Sequence, residues 1–137
     1  MDDDARIPEA TRRHILDGDR SGGGHRFTSL EPNKSLFPES WDDDLIIAAI
    51  IRTLDGPYTT SDDHEHLRDP NIRNLYGYVD GVRVVVGTAR DGSVITAHPI
   101  DGVGVMRTGK EDPTRRKNVP LGAVRHVPLP HGLGHPG

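Results

Sequence analysis

The sequence predicts an α+β fold, with N-terminal helices packed on an antiparallel β-sheet. Three observations carry that expectation. An apolar run, Leu45 to Ile51, follows Ser40 and three consecutive aspartates. Two β-rich segments, Leu75–Val79 and Val82–Thr88, flank the dipeptide Asp80-Gly81. Helical signals come first along the chain and strand signals second, an order that favours α+β over alternating α/β.

Pro8 to Leu16 has the marks of a short helix. Proline suits a first helical position and Gly18 suits the exit. Ile15 and Leu16 are its core contacts, and His14 falls near its C-terminal end. Asp17 to Gly24 is a loop by composition, after which His25-Arg26-Phe27 begins an extended segment. Thr28 to Pro38 is irregular, broken by Pro32 and Pro38. Ser40 is then placed as a helix N-cap, with Asp43 standing in for the capping-box glutamate. Asp42, Asp43 and Asp44 in the first turn complement the helix dipole. Because the following run is apolar on all sides, it predicts a buried spine, ending near Asp55-Gly56-Pro57. Phe37, Pro38 and Trp41 are assigned to packing at the core and the helix start.

Thr59 to Asn74 is polar and carries no clear signal. Asp80-Gly81 is a strong two-residue hairpin turn. Ala89 to Gly92 turns the chain again, and Ser93 to Pro99 completes a three-stranded antiparallel meander. Beyond residue 106 the pattern fades, which divides the chain into a domain over 1–106 and a flexible tail over 107–137.

A chain of 137 residues is about one domain's worth. With only 33% hydrophobic residues it can bury one modest core. The 16 glycines and 11 prolines predict long loops. No cysteine is present, so disulfides and thiolate metal sites are excluded. The net charge of −4 counts against broad electrostatic capture of nucleic acid. It leaves room for a local basic site, for which Arg12, Arg13, Arg20 and Arg26 lie around the histidine loop. The acidic N-terminus has no apolar run, so no signal peptide is expected. The longest apolar run is too short to span a membrane.

The chemistry concentrates in one stretch. His14 and His25 lie eleven positions apart, joined by a loop containing Gly22-Gly23-Gly24. Two histidines at one site can take a proton and return one near neutral pH. A glycine run lets the backbone fold close to an anion and aim its N–H groups there. Gly23, Gly24 and the adjacent Arg26 are therefore candidate substrate-binding residues. The combination points to chemistry on a phosphate, and RNA cleavage is the simplest candidate. A nucleotide-binding P-loop is rejected, because the run lacks the closing Gly-Lys-Ser/Thr and follows no strand. His64 and His66 alternate beside carboxylates, as metal ligands can, but a solvated loop is the favoured reading. No metal or other cofactor is expected.

Three stretches resemble the bacterial EndoU nucleases. They are His14-Ile15-Leu16-Asp17-Gly18 running into Gly22-Gly23-Gly24-His25, then Lys34-Ser35-Leu36-Phe37-Pro38-Glu39-Ser40-Trp41, then Ile95-Thr96-Ala97-His98-Pro99. They occur in the family's order and span most of residues 10 to 100. The resemblance implies a barnase–EndoU–RelE type of RNase fold. It implies a metal-independent endoribonuclease in which the ribose 2′-hydroxyl attacks the phosphodiester, leaving a 2′,3′-cyclic phosphate and a 5′-hydroxyl. It also implies a toxin domain at the C-terminal tip of a larger secreted protein, acting in the target-cell cytoplasm and paired with an immunity protein. The substrate would be RNA, with transfer RNA one candidate.

Carried over by position, His14 and His25 are the family histidines, Lys34 the lysine before the Phe-Pro pair, and Thr96 the hydroxyl of the last strand. Position 98 departs from the family, holding His98 where tyrosine is expected. His98 shares a sheet face with Thr96 and is expected to stack on a base or add a third titrating group. Two alternatives stand beside this reading. One is a metal-dependent hydrolase using His14, His25, His64 or His66; the other is a non-catalytic binding module of a secreted toxin.

Overall fold

The computed structural model describes residues 6–20, 22–56, 59–60 and 72–125. The architecture is α+β, as expected. Helix α1 (Glu9–Leu16) is followed by β1 (Ser35–Leu36), helix α2 (Asp43–Asp55), β2 (Thr59–Thr60), β3 (Arg73–Val79), β4 (Val82–Thr88), β5 (Val94–Gly102), β6 (Met106–Thr108) and β7 (Arg116–Asn118). The strands form two antiparallel sheets, ordered β2-β3-β4-β5 and β1-β6-β7.

Strand β4 is buried along its whole length, and its alternation sorts the core. Val82, Val84 and Val86 join Ile46 and Ile50 of α2 in the main cluster, whereas Val85 packs with Tyr76 and Ile100 on the opposite face. Successive strand residues point to opposite faces, so one strand serves both layers. Helix α2 lies close on β3 because Gly77 has no side chain. A Cβ at Gly77 would stand 2.4 Å from the Thr53 hydroxyl.

The expected hairpin forms in register, with Val79 paired to Val82. Asp80 and Gly81 both take positive φ, at 48° and 85°, as a type I′ turn requires. Strand β5 shifts register twice against β4, between Arg83 and Val84 and between Gly87 and Thr88. Such bulges re-aim side chains. Pro99 is tolerated there because β5 is an edge strand of its sheet.

Several expectations need correction. Helix α2 is capped by Asp42, not Ser40, and the Asp42 side chain accepts from the Leu45 N–H at 2.9 Å. The helix is not buried all round: Ile46, Ala49, Ile50 and Thr53 are buried, while Leu45 is exposed. Nor does the fold stop at residue 106. Strand β6 spans 106–108, and β7 extends the second sheet. These short strands are polar, so no hydrophobic period announced them. Strands β6 and β7 thus lie almost wholly within the stretch 107–137 expected as a flexible tail.

A buried ion pair holds that C-terminal segment. Arg83 and Asp101 are almost wholly buried and joined by two hydrogen bonds, one from Nε at 2.6 Å. Asp101 also accepts from the N–H groups of Gly122 and Val124, and Arg83 donates to the Val124 carbonyl. Removing one member of a buried pair strands the other's charge and costs about 3–5 kcal/mol. Asp101→Ala is therefore expected to lower unfolding free energy by about that amount in urea titrations. Asp101→Leu combined with Arg83→Leu should recover part of the loss, which would not happen if the pair contributed nothing.

Candidate active site

Helix α1 ends by receiving the glycine loop. The Gly24 N–H donates to the His14 carbonyl at 3.0 Å, and the His25 N–H donates to the Ile15 carbonyl at 2.8 Å. The last carbonyls of a helix lack intrahelical partners, and here the returning loop supplies them. Gly23 has φ of +81°, and a Cβ there would lie 1.9 Å from the His14 carbonyl oxygen. Only glycine fits that approach. The eleven-residue separation of the histidines thus collapses into adjacent backbone.

These contacts revise the role expected for the glycines. The N–H groups of Gly22, Gly24 and His25 are committed to carbonyls of Asp19, His14 and Ile15, so they form no anion nest. Gly23 lines the cleft, but Gly24 does not. Arg26 is also placed elsewhere. Its guanidinium donates to both carboxylate oxygens of Asp43 and to Asp17, tying the loop to the start of α2. Of the other expected basic residues, Arg13 pairs with Glu9 and Arg12 donates to the Ile7 carbonyl. None of Arg12, Arg13, Arg20 and Arg26 lines the cleft.

All five predicted catalytic residues do converge. His14, His25, Lys34, Thr96 and His98 line one cleft of about 690 Å³. Ala97 belongs to the core beneath α2, so its neighbours Thr96 and His98 point the other way, into the cleft. The His25 and His98 rings stack, with centroids 5.2 Å apart and planes inclined by 26°. A Cβ at Gly22 would lie 3.5 Å from Lys34 Nζ, and one at Gly23 would lie 3.2 Å from His14 Cε1. The amine and the imidazole therefore border the same loop.

Residues not anticipated from sequence hold these groups in place. Asp19 lies 3.0 Å from His14 Nδ1, which assigns a proton to that nitrogen. His25 Nδ1 donates to the Ser35 carbonyl at 2.7 Å, since a carbonyl can only accept. Nε2 of His25 then keeps its lone pair. Thr108 of β6 accepts from the Lys34 N–H at 2.8 Å and donates to the Glu31 carbonyl at 2.7 Å. Arg107 and Asn33 complete the wall. Asp19 was visible as a carboxylate in the histidine loop; Arg107, far along the chain from that loop, carried no local signal.

Burial pushes the His25 pKa down from 6.5 to about 3. That value already includes the lowering by neighbouring His98, Lys34 and His14 and the opposing bond to Ser35. Among the described residues Asp19 is the sole carboxylate lining the cleft, beside Lys34 and Arg107, so these side chains give the site local positive charge on an acidic protein. Among the described residues no three histidine, aspartate or glutamate side chains are grouped as a metal site. His64 and His66 lie outside the described residues. Comparison with known proteins finds no matching family model, and no significantly similar curated protein or solved structure.

Two outcomes are expected. Gly23→Ala should lose more than the roughly 1–3 kcal/mol of its positive φ, because it also collides with α1. Gly22→Ala carries the positive-φ strain too (φ 119°) but meets only Lys34 Nζ, at an ordinary contact distance of 3.5 Å, and should lose less in the same denaturation assay. The second outcome concerns pH. The unfolded chain protonates His25 below 6.5, while the folded state resists until about 3. Stability from neutral His25 is therefore full above 6.5 and is lost as pH falls toward 3, by up to about 1.4 kcal/mol per unit. Denaturation at a series of pH values should show that slope, and His25→Gln should flatten it by one proton.

Proposed function

We propose that this chain is a metal-independent endoribonuclease of EndoU-like type, with a barnase–EndoU–RelE kind of fold. The observation that carries the reading is the convergence of His14, His25 and Lys34 on one cleft, with the histidines held by different partners. His25, whose Nδ1 donates to Ser35 and leaves Nε2 unprotonated, is the group placed to accept the 2′-hydroxyl proton. The 2′-oxygen then attacks phosphorus as the bond to the 5′-oxygen breaks. His14, oriented by Asp19, delivers a proton to that departing oxygen. The products are a 2′,3′-cyclic phosphate and a 5′-hydroxyl.

Lys34 places a positive charge where the phosphate oxygens gain charge. Thr96 offers a hydroxyl to the phosphate or the base. His98 backs His25 by stacking and presents a ring to the substrate. Its position two residues beyond Thr96 supports the role taken by tyrosine in the family it resembles. No step requires a metal or other cofactor. The same reading makes the chain a toxin domain of a larger secreted protein, active on RNA in a target cell's cytoplasm. Transfer RNA is a candidate substrate, and an immunity protein with an acidic face would match the cationic cleft.

The test is incubation of purified protein with total cellular RNA in EDTA, beside His14→Ala and His25→Ala. Discrete cuts ending in 2′,3′-cyclic phosphate are expected, with each variant slowed at least about 100-fold. Cleavage only with added divalent metal would replace this mechanism by a metal-dependent one. Intact RNA under both conditions would leave a binding module.

A further inference from the structure

A second cleft of about 530 Å³ adjoins the first and shares Ser35, Thr96, His98 and Arg107 with it. It runs over the face of the large sheet, where Tyr76 and Val85 form part of its floor. Arg107 stands at the junction, paired across the small sheet with Ser35. Its Nε donates to Asn33 Oδ1 at 3.0 Å, and one terminal nitrogen reaches the Asn33 carbonyl at 3.5 Å. Both partners are neutral oxygens. By contrast, Arg6, Arg13, Arg26, Arg83 and Arg115 each pair with a carboxylate. Among the described residues no carboxylate pairs with Arg107, so it is aimed without being neutralised by them, which suits an arginine that recognises phosphate.

We infer that Arg107 binds the phosphodiester next to the one placed between His14 and His25, so that the substrate is held by two successive phosphates. The inference rests on the proposed RNA-cleaving role of the cleft. Lys34 and Arg107 serve different phosphates: Lys34 borders the glycine loop beside His14, and Arg107 opens onto the second cleft. That second cleft gives the flanking nucleotide somewhere to lie. Affinity therefore depends on substrate length, and dinucleotides with a single phosphate bind without the contact.

The test uses homo-oligomers of each base carrying 2′-fluoro at every ribose, as dinucleotides with one phosphodiester and trinucleotides with two. They cannot be cut, so binding is measured without catalysis. The native protein is expected to bind the trinucleotide about tenfold or more tightly than the dinucleotide, the scale of a charge-assisted contact. Arg107→Gln should erase that preference and lower the slope of log affinity against log salt by about 0.7. Arg107→Lys should retain part of both, and thermal melting should show that both variants fold. Equal weakening of both lengths by Arg107→Gln overturns the inference, as does an unchanged or absent trinucleotide preference. A trinucleotide preference that depends on Arg107, in a protein that cuts no RNA, would support this contact and overturn the nuclease reading alone.

Discussion

The return of the glycine loop onto the end of helix α1 is the contact on which the site depends. Two backbone bonds, from Gly24 to His14 and from His25 to Ile15, satisfy the helix's last carbonyls and set the two histidines side by side. Gly23 makes that approach sterically possible. Its missing side chain, more than any N–H group of the run, is what the site uses. Glycine can serve an active centre by letting two backbones touch, and an anion nest is a separate use of the same residue.

The small sheet completes the arrangement. Strand β1 presents the Ser35 carbonyl that fixes the His25 tautomer, and β6 holds Lys34 through Thr108 and supplies Arg107. The Phe37 N–H donates to the His25 carbonyl, so the histidine backbone is gripped from both sides. Arg83 and Asp101 anchor residues 122 to 124 through a buried network. Its polar groups bond to one another and to backbone, as burial demands.

Charge is distributed by function as much as by total. The chain is acidic overall, yet the cleft gathers three histidines, Lys34 and Arg107 around one carboxylate. Most arginines near the histidines in sequence are tied to carboxylates or carbonyls. The arginine that reaches the cleft comes from β6, far along the chain. Net charge and sequence proximity are therefore poor guides to the local field, which depends on what each cation faces.

What the sequence determined by itself is the part written in local pattern. The Asp80-Gly81 hairpin, the α1 and α2 helices and the facing of Thr96 with His98 follow from turn chemistry and from the 3.6 and 2.0 periods. The pairing of His14 with His25 was legible in the short glycine loop between them, whereas the approach of Lys34, Thr96 and His98 was implied only by the family resemblance. The tertiary structure alone decided which partners those groups receive. Asp19, the Ser35 carbonyl, Thr108 and Arg107 reach the site through loop return and through polar two- or three-residue strands. Such strands are specified by backbone pairing with distant segments, and backbone pairing leaves no hydrophobic period in the sequence. The Arg83–Asp101 pair escaped notice for a related reason: charge in a strand reads as surface until the fold buries it with its partner.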